Sequence, residues 1–169
     1  MRSTLINVIV LRCTRQLLAR LKKVDNLPPV ESTTRLGDWY GNTLRIGRRQ
    51  ALIFISERSR LPVLIPIRDA NRLPSVFPDA VCQMLAFVGV PATHIADERS
   101  QMSEVSFGRT RSRSLLGTLN DFSFMIGASP SLPAKEQSLE EIARFLARTP
   151  IMPLGGARPI DLTRGIIGG

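Results

Sequence analysis

Apolar residues follow two rhythms along this chain, and the change between them separates a strand-rich first half from a helical second half. Residues 6–12 are dominated by Val, Ile and Leu and predict a first strand. Thr14 offers an N-cap to a helix over 15–23, with Leu17, Leu18 and Leu21 on one side and Lys22 and Lys23 at its negative end. Residues 25–34, with Pro28 and Pro29, predict a loop. Three strand-type segments follow at 39–46, 50–56 and 61–67. Gly47, Arg48 and Arg49 separate the first two, and Glu57 to Arg60 the last two. Pro62 and Pro66 push the third segment toward a sheet edge. Such short connections favour an antiparallel meander over crossover units.

From residue 75 the period becomes helical. The 75–88 segment turns Val76, Phe77, Val81, Leu85 and Val88 inward, with Pro78 tolerable only near its start. Residues 91–101 predict a second helix, 105–107 a short strand and 115–126 a third helix. Ser129 to Pro133 reads as a linker. Ser138 followed by Glu141 has capping-box spacing and opens a helix through Ala147. Strands first and helices afterwards predict an α+β fold. The expected architecture is an antiparallel sheet, three meander strands plus one or two more, covered on one face by about five helices. One domain is expected over 1–150, because a chain of 169 residues sustains a single core. Residues 151–169, rich in Pro and Gly, are expected to be a mobile or partner-dependent tail.

Charge changes the picture more than composition does. The net charge is +9, and lysine occurs only at Lys22, Lys23 and Lys135, so the excess is carried by arginine. Arginine binds phosphate and carboxylate bidentately, and such a charge suits nucleic acid or an acidic protein partner. A coding bias accounts for arginine in place of lysine but not for the excess of positive over negative charge. Cys13 and Cys82 lack metal-type spacing and read as unpaired thiols of a reducing compartment. The apolar run at 5–11 is too short to span a membrane and lacks a cleavage site. A cytoplasmic location with no membrane contact is therefore expected. No phosphate loop, metal-ligand cluster or nucleophile–base constellation is legible, so neither a cofactor nor a metal site is assigned.

The richest segment runs from Gly108 to Phe122. Arg109, Arg111 and Arg113 alternate into an amphipathic helix capped by Ser112. On a helical wheel Leu115, Leu116, Leu119, Phe122 and Ile126 form the core stripe, and Arg113, Gly117, Asn120 and Phe124 lie opposite with Asp121 close by. One reading makes the three arginines an anion contact beside a helix start, with Asn120 and Asp121 adding hydrogen bonds. The other makes them a solvated ion-pair cluster or a guarded edge strand. Arg48, Arg49 and Arg58, with Arg45 and Arg60, sit at two turns at opposite ends of the middle strand and form at most a stripe. Asp38, Trp39 and Tyr40 hold the chain's sole Trp and Tyr, of which one packs inward while the other can face a groove. His94 reads as structural. Glu57, Asp69, Asp97, Glu98 and Asp121 are carboxylates without metal spacing.

Several of these motifs occur in a fixed order. Leu36-Gly37-Asp38-Trp39-Tyr40 is followed by Glu57-Arg58, then Gly108-Arg109-Thr110, Arg113-Ser114, Leu116-Gly117 and Asn120-Asp121. With the opening Arg12-Cys13-Thr14 and Leu17-Leu18, Leu21-Lys22, the pattern over about residues 10–150 resembles a bacterial domain family of unknown function. The resemblance implies no activity and no cofactor. Some relatives accompany plasmid-borne reading frames, which implies a mobile-element or defence context. The expectation is a small basic domain binding nucleic acid or another polyanion through an arginine surface. The alternatives are a protein-interaction module docking an acidic partner or larger assembly, and a metal-dependent nuclease.

Overall fold

The three meander segments become β2 (Trp39–Ile46), β3 (Arg49–Ser56) and β4 (Pro62–Pro66), paired antiparallel in the predicted order. The structure, a computed structural model, describes residues 6–23 and 30–168. The first five residues, residues 24–29 of the predicted loop and Gly169 lie outside the described residues. β1 (Val8–Cys13) leads into α1 (Arg15–Leu21), capped by the Thr14 side chain as its sequence predicts. After β4 come a 3-10 turn (Ile67–Arg72), α2 (Leu73–Val88), α3 (Ala92–Ser100), β5 (Glu104–Arg109) and α4 (Arg113–Ala128). α5 (Leu139–Ala147) carries the complete Ser138–Glu141 capping box, and α6 (Pro159–Ile167) closes the fold.

The class is α+β, but the sheet is mixed rather than antiparallel. Its order is β4-β3-β2-β1-β5, and β1 runs parallel to both neighbours. The reason lies in the connections. Residues 14–38 and 92–103 each contain a helix, α1 and α3, and strands joined through helices are free to run parallel. β1 is an interior strand, between β2 and β5, and is buried along its whole length. β4 takes an edge, where Pro62 and Pro66 leave no inner ladder bond unmade.

Helices cover both faces, which corrects the one-sided packing expected from the sequence. On one face Phe77 of α2 makes edge-on contacts with Trp39 at 5.3 Å and Phe54 at 5.2 Å. On the other, α4 crosses β2 and β3 with Leu115, Leu119, Phe122 and Ile126 buried. An interior strand buried on both faces requires this arrangement.

The predicted tail is also revised. Pro159, Ile160, Thr163 and Ile167 of α6 are buried against the domain. His94 Nδ1 lies 2.7 Å from the Ile167 carbonyl, and Arg164 Nε donates to the Val88 carbonyl at 2.8 Å. The Pro and Gly content conceals a two-turn apolar stripe, and that stripe docks the segment.

Two features are directly testable. Gly41 stands opposite Phe54 in the ladder, and a Cβ there would lie 2.3 Å from the ring. Gly41→Ala is expected to cost about 1–3 kcal/mol or more through overpacking, lowering Tm by roughly 4–10 °C in a thermal melt. Both cysteines are free, and burial pushes the Cys13 thiol up to about 12. Cys82 is half-buried, 3.6 Å from Arg99 Nη1. A thiol reagent at pH 8 is expected to label Cys82 alone in the native protein and both residues after denaturation. Equal labelling rates would contradict the buried position of Cys13.

Candidate functional site

Every residue of the Leu36 to Tyr40 segment has a distinct physical task. Leu36 is buried, and its amide and that of Arg35 donate to the Glu98 carboxylate at 3.1 and 2.6 Å. Burial raises the Glu98 pKa, while those two amides oppose the shift. Gly37 adopts φ +79°, and a Cβ there would stand 2.6 Å from Glu57 Oε2. Only glycine lets the chain pass so close to that carboxylate. Asp38 then exchanges two hydrogen bonds with Glu57. Its amide donates to Glu57 Oε2 at 3.0 Å, and its carbonyl accepts from the Glu57 amide at 2.8 Å.

The Asp38 side chain is the centre of the network. Arg12 Nε lies 3.1 Å from Oδ2, with side-chain exposures of 9% and 3%. Ser32 Oγ donates to Oδ1 at 2.7 Å. Arg111 Nη2 approaches Oδ2 at 3.9 Å from a side chain that is 60% exposed. The Arg111 guanidinium also lies close to the Tyr40 hydroxyl. Burial raises the Tyr40 pKa, and the nearby Arg111 guanidinium partly offsets it. Arg12 partners Tyr40 and Gly108 in the ladder, so the three positions share one sheet face.

A second arginine closes the site from the β3–β4 turn. Arg60 is buried, with φ +62°, a conformation that costs a non-glycine residue about 1 kcal/mol or more. Its Nη1 donates to the Glu57 carbonyl at 2.7 Å, and Nη2 to Ser114 Oγ, in the first turn of α4, at 3.0 Å. Its buried Nε has no partner among the described residues. Burial lowers its pKa. Above these groups opens a polar cavity of about 320 Å³ lined by Glu31, Ser32, Asp38, Glu57, Arg58 and Arg111.

The residues singled out in the sequence divide clearly. Arg58 and Arg111 border this cavity, and Arg113 is exposed at the first position of α4 beside Ser114. Arg58 donates to the Arg35 carbonyl at 2.9 Å. Arg109 ends β5, at the sheet edge that a guarded strand would occupy. Ser112 caps α4 as expected. The ion-pair reading is met for Arg111, yet its acid is Asp38 and not Asp121. Trp39 is fully buried and forms no groove, whereas Tyr40, equally buried, faces the site. Asn120 and Asp121 are exposed on the outer side of α4 with Gly117, around which an added Cβ would meet open space. No neighbour among the described residues calls for that glycine.

Arg48 and Arg49 lie at the far end of β3, roughly 25 Å from Arg58 along an eight-residue strand. Arg49 is committed to the carbonyls of Ala134 and Gln137, both at 2.8 Å. Sequence reasoning passed over Arg12, Ser32, Arg60 and Ser114 as site residues. Arg12 carried a usable signal, a charge within an apolar strand. The others had none, since hydroxyls and turn arginines are common on surfaces. Among the described residues no group of three or more His, Cys, Asp and Glu is placed to hold a metal ion. Nor is any described helix long and apolar enough to cross a membrane.

These features define an α+β domain with a five-stranded mixed sheet and a polar, arginine-rimmed cavity where the β1–β2 junction meets α4. The chain belongs to the family described as Domain of unknown function (DUF6933), whose model matches residues 10–162. Neither a curated protein nor a solved structure matches it.

The Arg12–Asp38 pair makes a sharp stability test. Removing one partner of a buried pair leaves the other charge uncompensated, at a cost of about 3–5 kcal/mol. Asp38→Asn is expected to lose about that much stability in urea unfolding. A loss below about 1 kcal/mol would mean that water reaches Arg12 and that the pair does not hold the loop.

Proposed function

We propose that the protein binds nucleic acid, or another polyanion, through arginines surrounding the Asp38 cavity. The observation that carries this reading is an asymmetry of burial. Asp38 and Glu98 are buried and spent on Arg12 and on backbone amides, while Arg35, Arg58, Arg111 and Arg113 are exposed. Against these four guanidiniums, the acids left to solvent beside the cavity are the exposed Glu31 and the half-buried Glu57, so the exposed charge is mainly positive. Such a rim suits phosphate oxygens, which arginine contacts bidentately. Tyr40 is buried and Trp39 belongs to the core, so the surface lacks a stacking platform and supports backbone contact without base preference. The free thiols accord with a cytoplasmic setting.

A second reading, docking of a protein partner, is favoured by one feature. Phe124 and Met152 are 74% and 76% exposed and flank a depression of about 270 Å³ that also touches Asp121. The material that accompanies the protein from cells separates the readings, as nucleic acid absorbance or as a stoichiometric protein band.

The arginine rim is tested by Arg111→Gln with Arg113→Gln. Binding to mixed-sequence duplex DNA is expected to weaken, with the log–log salt slope falling by about 0.9 for each lost phosphate contact. Stability is expected to change by no more than about 1 kcal/mol, because the Arg111–Asp38 contact is long and exposed. A double variant that binds like the parent but unfolds many degrees earlier would make these arginines purely structural.

A further inference from the structure

The arginines of this chain fall into two groups when their partners are traced. Arg72 pairs with Asp69 at 3.0 Å, Arg99 with Asp79 at 2.6 Å and Arg158 with Asp161 at 2.7 Å. Arg144 pairs with Glu140 in the same way. The side chains of Arg20, Arg45, Arg48 and Arg68, like those of Arg15 and Arg113, show no hydrogen bond or ion pair among the described residues. The first four converge on one region, the hairpin end of β2 and β3, away from the Asp38 cavity.

Two adjoining depressions lie there. One, of about 240 Å³ between α1 and the hairpin, is lined by Gln16, Arg20, Thr43, Arg45 and Gln50. The next, of about 520 Å³, is lined by Arg49, Gln50, Arg68 and Ser138, and shares Gln50 and Ile67 with the first. Among the described residues, no Asp or Glu lines either one. The nearest acid in sequence to Arg68 is Asp69, which is taken by Arg72. Glu136 borders a neighbouring depression with Arg45 and Lys135, but among the described residues it makes no ion pair with any of the four. Gathering guanidiniums without an ion-pair partner adds mutual repulsion to the folded state. Stability therefore does not explain the arrangement, whereas an anionic ligand does.

We propose that this groove binds the sugar-phosphate backbone of nucleic acid, as a site separate from the Asp38 rim; the assignment rests on nucleic acid being the ligand. Its arginine heads are spread over two depressions and onward to Arg48, matching successive phosphates rather than one focal anion. Gln16, Thr43, Gln50 and Ser138 supply the neutral hydrogen-bonding groups that backbone contacts use. The lining contains no aromatic residue, so it offers no surface for base stacking and reads no sequence.

The test is a salt titration of labelled mixed-sequence duplex DNA, followed by fluorescence anisotropy, with the parent and with Arg20→Gln/Arg45→Gln/Arg68→Gln. These side chains have no partners to lose, so Tm should match the parent. The log–log slope is expected to fall by about 2.7, for three contacts at about 0.9 each, and affinity at 0.1 M salt by about two orders of magnitude or more. The Arg111→Gln/Arg113→Gln variant, measured alongside, should add its own loss. A triple variant with parental affinity and slope overturns the groove while leaving the function reading intact. A parent that binds no duplex overturns both. If the triple variant loses ATP or polyglutamate binding but keeps DNA binding, the groove serves a nucleotide or an acidic protein, and the assignment fails.

Discussion

The buried pairing of Arg12 with Asp38 is the constraint on which the rest of the site depends. Two charges removed from water are tolerated only when each finds a partner and their remaining hydrogen-bonding capacity is met. On the Asp38 side the Ser32 hydroxyl and amide donate to Oδ1 at 2.7 and 3.3 Å, and Arg111 stands 3.9 Å from Oδ2. The pair joins the end of β1 to the entry of β2, which are parallel neighbours only because α1 carries the chain across. The same loop is tied to α3 through Glu98 and to the β3–β4 turn through Glu57. The ion pair and these two carboxylates thus connect the interior strand β1, a helix and the turn that carries Arg58 and Arg60.

This arrangement accounts for the electrostatic character of the surface. Asp38 and Glu98 are drawn inward, where they hold Arg12 and backbone amides, while Glu31 stays exposed and Glu57 half-buried at the cavity. The guanidiniums left outside inherit the excess charge of the chain. Arg60 shows the tension directly: a left-handed backbone, a buried guanidinium and an unpartnered Nε are all retained beside Ser114 at the start of α4. Strain kept beside a polar cavity agrees with a site shaped for a ligand rather than for stability alone.

Local chemistry made much of the fold legible. Thr14, Ser112 and Ser138 cap the helices that their sequence context predicts, because a cap needs only a side-chain oxygen and a free amide two or three residues on. The β2–β4 meander follows from short turns, and the prolines of β4 place it at an edge. The candidate site was legible in part. Charge and motif point to Arg58, Arg111, Asp38 and Tyr40; the first three border one cavity, and Tyr40 lies buried on the sheet face of Arg12. Trp39 was named with them and went to the core, since neighbours on a strand face opposite ways.

What the sequence determined by itself is the local layer: caps, turns, apolar stripes, the α+β class and the excess of arginine. Tertiary structure decided the parallel placement of β1 and β5, the docking of α6 and the pairing of each charge. The physical reason is range. Caps and turns are satisfied within four residues, so their grammar is written in the chain. Arg12 meets Asp38 across 26 residues and Arg60 meets Ser114 across 54, and spacing carries no information about such encounters. Whether an arginine is spent on an acid or left for a ligand depends on those long-range meetings, and only the folded chain decides it.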